Sequence, residues 1–258
     1  MKIKNILFLL LFCSAIVAEA QNLSTGTAIN KAGRQRMLSQ RMAKNYLALG
    51  AGVRTEDAMR ELDEASSAFN ENLRDLEVYS KNKETTDALA FVSILWSNFR
   101  TNVLSTPDLE SAEKIIVDAN NLMNACNVVV DKIVASSGSK TAQLPNICGK
   151  QRMFSQKIAM YYIAYSWGVR SKNLEKDLGD AITGFDGGLN TLVAAPENTD
   201  EINKILKFQQ SEWAFLKKTF NLKEAHSMPA NVYSSTNMIL KDFDRATTLY
   251  EKLINTQP

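Results

Sequence analysis

Arg36 and Arg152 are the side chains of this sequence best placed to do chemistry, because each stands at the centre of a stretch that occurs twice. Residues 30–42 read Asn-Lys-Ala-Gly-Arg-Gln-Arg-Met-Leu-Ser-Gln-Arg-Met, and residues 146–158 read Asn-Ile-Cys-Gly-Lys-Gln-Arg-Met-Phe-Ser-Gln-Lys-Ile. At a constant offset of 116 residues, Asn, Gly, Gln, Arg, Met, Ser and Gln are identical, and Lys150 and Lys157 answer Arg34 and Arg41. A guanidinium is flat, always charged and two-pronged, so it suits bidentate binding of a planar oxyanion. Gln40 and Gln156 add amide donors one turn further on. Gly33 and Gly149 lie one turn before and allow close approach of another backbone.

Other chemistry has little to work with. His226 is the only histidine, which leaves Ser-His-Asp or Cys-His catalysis dependent on it alone. It is expected in an exposed loop beside Pro229. Glu224 stands two residues before it, which is not the Glu-x-x-His spacing of di-iron bundles. No phosphate-cradling Gly-rich loop or metal-ligand spacing is present. No enzyme activity, cofactor or metal is therefore expected.

The elements that must position the two arginines read as helices throughout. The first runs over about Thr27–Ala51 and the second over Arg54–Ser80, with Ala58, Leu62, Ala65, Phe69, Leu73 and Leu76 spaced by three and four. The third is capped by Thr85 or Thr86, and the fourth starts at Thr106-Pro107, with Pro at the first helical position. Ser136 to Ser139 closes this half. The second half repeats the order: about Gln143–Val169, Asn173–Ala194, Asp200–Phe220, and a last helix from about Pro229 to Leu253. Gly184, Gly187 and Gly188 each weaken the second of these by about 1 kcal/mol relative to Ala, which calls for a close neighbour or a loose helix. The match extends to Gly52-Val53-Arg54 against Gly168-Val169-Arg170, Phe69 against Phe185 and, after one gap, Trp96 against Trp213. A repeat this long means duplication of a whole unit of roughly 110 residues rather than a solenoid. The fold expected is all-α: two tandem antiparallel four-helix bundles, over 21–140 and 141–258.

On a helical wheel the first helix shows three stripes. Gln35, Leu38, Met42, Tyr46 and Leu49 face its own bundle. Arg34, Arg41 and Asn45 form a solvated stripe. Ile29, Gly33, Arg36, Gln40, Ala43 and Leu47 form a small, apolar third face with one Arg and one Gln at its centre. In the second copy the corresponding sets are Phe154, Ile158, Tyr162 and Tyr165; then Lys150, Lys157 and Tyr161; then Gly149, Arg152, Gln156, Ala159 and Ile163. A helix with two apolar sides packs on both. The two repeated helices are therefore expected to pack on each other across a pseudo-twofold axis, as an intramolecular version of a symmetric dimer. That brings Arg36 close to Arg152. Two guanidiniums ~5 Å apart at an effective dielectric of ~20 repel by roughly 3 kcal/mol, and no acidic residue lies within one turn on that face. An anion between them relieves the cost.

Asn-x-Ala-Gly-x-x-Arg-Met-x-Ser resembles the signature helix of the PilJ/NarX-type sensor domain family. That family covers the N-terminal domain of type IV pili methyl-accepting chemotaxis transducers and the periplasmic domain of nitrate/nitrite sensors. The resemblance implies antiparallel four-helix bundles, here in two copies. It also implies that Arg36 and Arg152, beside Gly33 and Gly149, bind nitrate or nitrite at the interface of the two motif helices. The chain departs from the nitrate sensors at Gln35 and Gln151, where they tend to be apolar, and at Cys148, where the first copy keeps the motif's Ala32. The function expected is a sensor-like binding module that takes a small oxyanion, nitrate or nitrite before others, and signals to a partner such as a membrane receptor or signalling protein. The alternative is a structural or protein-interaction module that kept the fold without the anion. Its arginines would then be held by water or by acidic residues of other helices, for which Glu61, Asp63, Glu64, Glu71 and Asp75 are available.

Residues 1–20 read as a secretory signal peptide: Lys2 and Lys4, an apolar run from Ile6 to Val17, and cleavage after Ala20. Phe12 before Cys13 argues against a lipoprotein signal. No other stretch approaches the ~18 apolar residues of a transmembrane helix, so the processed chain is expected to be periplasmic or secreted, without stable membrane insertion. The formal net charge of +2 falls to +1 without Lys2, Lys4 and Glu19, which gives no case for nucleic acid. Cys126 and Cys148 remain in a compartment that permits a disulfide, and their spacing neither requires nor excludes one. Trp96, Trp213, Tyr161 and Tyr162 at helical spacing read as core.

Overall fold

The computed structural model of the protein describes residues 23–80, 82–138, 143–220 and 228–255, with side chains as far as Leu253. The signal-peptide reading of residues 1–20 and the loop reading of His226 lie outside the described residues. Those residues form eight α-helices and no strand: α1 (Thr25–Gly50), α2 (Thr55–Tyr79), α3 (Lys83–Val103), α4 (Leu109–Ser136), α5 (Gln143–Trp167), α6 (Leu174–Val193), α7 (Asp200–Leu216) and α8 (Pro229–Asn255). A 3₁₀ turn, Lys217–Thr219, follows α7. The fold is an all-α helical bundle.

Local chemistry sets the helix ends. Ser24, Asn82, Asp108 and Thr199 each accept a hydrogen bond from the backbone N–H three residues on, which satisfies an orphan donor of the first turn. Two starts therefore differ from the sequence expectation. Asn82 caps α3 in place of Thr85 or Thr86, and Asp108 caps α4, leaving Pro107 outside it. The repeated Gly-Val-Arg is the stop signal of α1 and α5. Gly52 and Gly168 take φ of +67° and +107°, a region open to glycine. The chain folds back so that Val53 N–H reaches Ala48 O (2.8 Å) and Val169 N–H reaches Ala164 O (3.0 Å).

Within the first half α1 packs on α2 and α4, and α3 on α4; within the second, α5 packs on α6 and α8, and α7 on α8. The two series meet where α1 packs along α5. The contact is parallel and in register: Gly33 faces Gly149 near one end, and Gly50 meets the Trp167 indole at the other. One apolar core runs through both halves. Phe69 stacks on Trp96 at 4.4 Å and Phe185 on Trp213 at 4.1 Å between ring centroids, so matched aromatic pairs fill matched places. Phe154 and Gln151 fill the room left by Gly184 and Gly188, so α6 approaches α5 closely; Gly187 faces open space.

The wheel misplaced two residues: Asn45 and Tyr161, which it assigned to solvated stripes, are buried, Tyr161 in agreement with the reading of the paired tyrosines as core. The reason is a crossing of the halves that a two-sided helix does not anticipate. Besides its own bundle and α5, α1 touches α8, and α5 touches α4. Tyr233 of α8 donates its hydroxyl to Asn45 Oδ1 (2.9 Å), and Asn120 of α4 donates to the Tyr161 hydroxyl (3.0 Å). Arg34 is exposed, as that stripe requires. Cys126 and Cys148 are both free and buried, so no disulfide joins them.

Candidate functional site

Arg36 and Arg152 project from α1 and α5 into the seam between the two helices, 0 % and 1 % exposed. Their supports are almost symmetric. Arg36 Nη2 donates to the backbone oxygen of Asn146 (3.2 Å), and Arg152 Nη2 to that of Asn30 (3.4 Å). Each arginine thus reaches across to the first residue of the other motif. Each also reaches back to the last helix of its own half. Arg36 Nη1 donates to Asn127 Oδ1 on α4 (2.8 Å), and Arg152 Nη1 to Asp244 Oδ1 on α8 (2.6 Å). Arg36 Nη1 has a second acceptor in Asn146 Oδ1 (2.9 Å), whereas the side chain of Asn30 turns instead to Glu251 (2.6 Å).

The glycines complete the seam. A β-carbon on Gly149 would lie 3.3 Å from Nη2 of both arginines and 3.9 Å from Gly33 Cα; one on Gly33 would lie 3.2 Å and 3.6 Å from the same two nitrogens. The two Nη2 groups therefore sit side by side over a glycine–glycine contact. This proximity is costly for two cations. Burial first, and then Arg152, hold the Arg36 guanidinium down at about 10, with the Asp131 carboxylate pulling the other way. The Nε–H of each arginine is buried and finds no acceptor among the described residues. Such a group normally has a partner in a native protein.

The structure brings Arg36, Arg152, Gly33 and Gly149 together, and it places Gln40 and Gln156 differently. Gln40 Nε2 donates to Ala119 O on α4 (3.1 Å), and Gln156 Nε2 to Thr236 O on α8 (3.2 Å). One N–H of each amide thus ties α1 to α4 and α5 to α8. None of the acidic residues considered as arginine partners takes that role. Glu61 pairs with Lys44 and Arg41, Glu64 with Arg60 and Asp75 with Lys31; Asp63 and Glu71 are exposed. The partner that sequence reasoning missed is Asp244. Its signal was the one-residue gap: at the offset of 117 that matches Trp96 to Trp213, Asn127 falls on Asp244.

A second buried polar cluster was also missed. Lys44 of α1 has no exposure, lies 3.2 Å from Glu61 of α2, donates to Asn237 Oδ1 of α8 (2.7 Å) and sits 4.0 Å from the centre of the Tyr233 ring. Asn237 returns a bond to Glu61 Oε1 (2.8 Å). Burial pulls the Lys44 ammonium down to about 7 against the opposing pull of Glu61. Among the described residues no group of three His, Cys, Asp or Glu side chains is arranged to hold a metal ion, and no helix is long and apolar enough to cross a membrane.

The fold and seam define an all-α bundle with a buried arginine pair at the contact of its two central helices. Residues 17–120 match the PilJ family model, described as the type IV pili methyl-accepting chemotaxis transducer N-terminal domain. That match supports the PilJ family, and with it a sensor or signalling domain, for the stretch that holds the first motif. No curated protein and no solved structure matches the chain.

Proposed function

We propose that the protein is a non-catalytic, sensor-like binding module of two tandem PilJ/NarX-like bundles, acting in the periplasm or outside the cell. A small oxyanion, nitrate or nitrite before others, lies between Arg36 and Arg152. The observation that carries this reading is two fully buried guanidiniums side by side, each with an unspent Nε–H. An oxyanion there removes the repulsion and takes up donors for which the fold supplies no acceptor. The 116-residue repeat and the PilJ match of the first half support the tandem sensor architecture. The apolar run from Ile6 to Val17, followed by the small-x-small stretch Ala18-Glu19-Ala20, supports export.

The bond network suggests how binding is passed on. Arg36 also holds α4 through Asn127, and Arg152 also holds α8 through Asp244. A ligand that redirects the guanidiniums changes the grip of the central pair on both outer helices. A membrane receptor or signalling partner then reads the shift, provided it binds the two states differently.

The test is thermal unfolding at low ionic strength with nitrate, nitrite, sulfate, phosphate, acetate and chloride, on the wild type, Arg36→Ala and Arg152→Ala. An anion at ~100 times its dissociation constant adds about 2.7 kcal/mol, a shift of several degrees. The expected result is a selective shift lost in both variants. No selective shift, with variants at least as stable as the wild type, overturns the anion site. The interaction module, in which Asp244 alone balances Arg152, then takes its place.

A further inference from the structure

The two halves of the arginine site are not equivalent in charge. Arg152 Nη1 meets the Asp244 carboxylate at 2.6 Å, while Arg36 Nη1 meets the neutral amides of Asn127 and Asn146 at 2.8 and 2.9 Å. Asn127 and Asp244 are counterparts at the offset of 117, so one position of the repeat carries an amide in one copy and an acid in the other. Among the charged groups bonded directly to the seam, two cations therefore face one carboxylate. The next carboxylate out, Asp131, has no hydrogen bond to Arg36: Asn127 stands between, its amide donating to Asp131 Oδ2 at 2.9 Å, and the exposed carboxylate pulls on the guanidinium from further away, weakened by water. Glu251 engages the Asn30 side chain and Thr27 rather than either guanidinium.

Resting on the anion reading above, we infer that Asp244 sets the charge of the ligand: the site takes a single negative charge and discriminates against dianions such as sulfate and hydrogen phosphate. One unit of positive charge is left over on two guanidiniums that have almost no contact with solvent, while the Asp244 side chain that offsets the other is 40 % exposed. A monovalent oxyanion balances it. A dianion brings a surplus charge beside the Asp244 carboxylate, and inside a protein such a mismatch is felt far more strongly than in water. Asp244 need not touch the anion; it determines how much of the pair's charge remains for it. The asymmetry also fixes a preferred side. Arg36, with no acid bonded to it, carries the larger share of the binding, and Arg152 orients.

Two isosteric exchanges at the counterpart positions test this. Asp244→Asn leaves two uncompensated cations, and Asn127→Asp supplies a second acid. Titration calorimetry at constant ionic strength with nitrate, nitrite and sulfate reads the dissociation constants, and circular dichroism reports that each variant folds. The wild type is expected to favour the monovalent ions over sulfate by ~10-fold or more, Asp244→Asn to lose or invert that preference, and Asn127→Asp to weaken all three ions by ~10-fold or more. Wild type that binds a monovalent ion, with Asp244→Asn keeping the same preference, overturns the role of Asp244 and leaves the anion site standing. Wild type that binds no ion of the panel overturns both.

Discussion

Lys44 and Glu61 form an ion pair at 3.2 Å in which the lysine has no contact with solvent, and Asn237 of α8 bonds to both members. The pair thus fastens α1 and α2 of the first half to the last helix of the second. Burial is the larger influence on Lys44 and brings it to about 7, while Glu61 raises it and Arg41 lowers it. In the unfolded chain a lysine keeps its proton to about 10.4. Between these values the unfolded state binds more protons, so stability rises with pH, by up to about 1.4 kcal/mol per unit. Above about pH 9 the buried thiols of Cys126 and Cys148, both raised by burial, work the other way. Lys44→Met places on α1 the residue found at its counterpart, Met160, which is also buried. Urea unfolding from pH 7 to 9 is expected to show a rising stability in the wild type and a flatter profile in Lys44→Met. Parallel profiles refute the assignment.

Gly184 and Gly187 separate the cost of glycine in a helix from its use. Both lie inside α6, but a β-carbon on Gly187 meets nothing within 4 Å, and one on Gly184 runs into the Phe154 ring. Gly187→Ala is expected to stabilise by about 1 kcal/mol through helix propensity. Gly184→Ala is expected to destabilise by about 1 kcal/mol or more, because overpacking outweighs the propensity gain. Chemical denaturation of the two variants side by side is the measurement. Equal effects would mean that α5 and α6 are less closely packed than described.

Gly149→Ala tests the seam itself. Its β-carbon would press on Nη2 of both arginines at 3.3 Å. These ends are held by hydrogen bonds and have little freedom to yield. The gain in helix propensity is about 1 kcal/mol, so a folded protein is expected, with any selective anion shift in melting temperature reduced or lost. Retention of the full shift places the anion elsewhere.

Cys126 and Cys148 are expected to remain thiols even in an oxidising compartment. Both are fully buried, and Cys148 Sγ is directed at Phe243 O (3.7 Å). Burial holds the Cys148 thiol up at about 12, far from the reactive thiolate. A thiol reagent should label neither residue in the native protein and both in denaturant. Mass spectrometry of the unreduced protein that finds a bridge would contradict this arrangement.

Much of the helical order was legible because it rests on local rules. Spacing by three and four marked the core stripes, and the Gly-Val-Arg repeat marked two helix stops whose conformation only glycine accepts without strain. Cap positions were less legible, since Ser, Thr, Asn and Asp near a helix start compete on equal terms until the chain direction is known. Asn82 and Asp108 won over Thr85 or Thr86 and over Thr106 for that reason. Small residues beside Arg36 and Arg152 indicated a tight helix contact, and the arginines do meet at one.

By itself the sequence determined that the chain is all-helical, that its motif helices have two faces to bury and that two arginines stand at matched places. Those facts follow from periodicity and from identity at a fixed offset. The tertiary structure decided what surrounds the arginines and the buried lysine. Asp244 lies 92 residues from Arg152, and Asn237 lies 193 residues from Lys44. The first partner comes from the last helix of the same half and the second from a helix crossing between the halves, and both approaches are set by the packing of the whole core and not by any local pattern. Crossing also buried Asn45 and Tyr161, because a third neighbour covers a stripe that an isolated helix would leave in water.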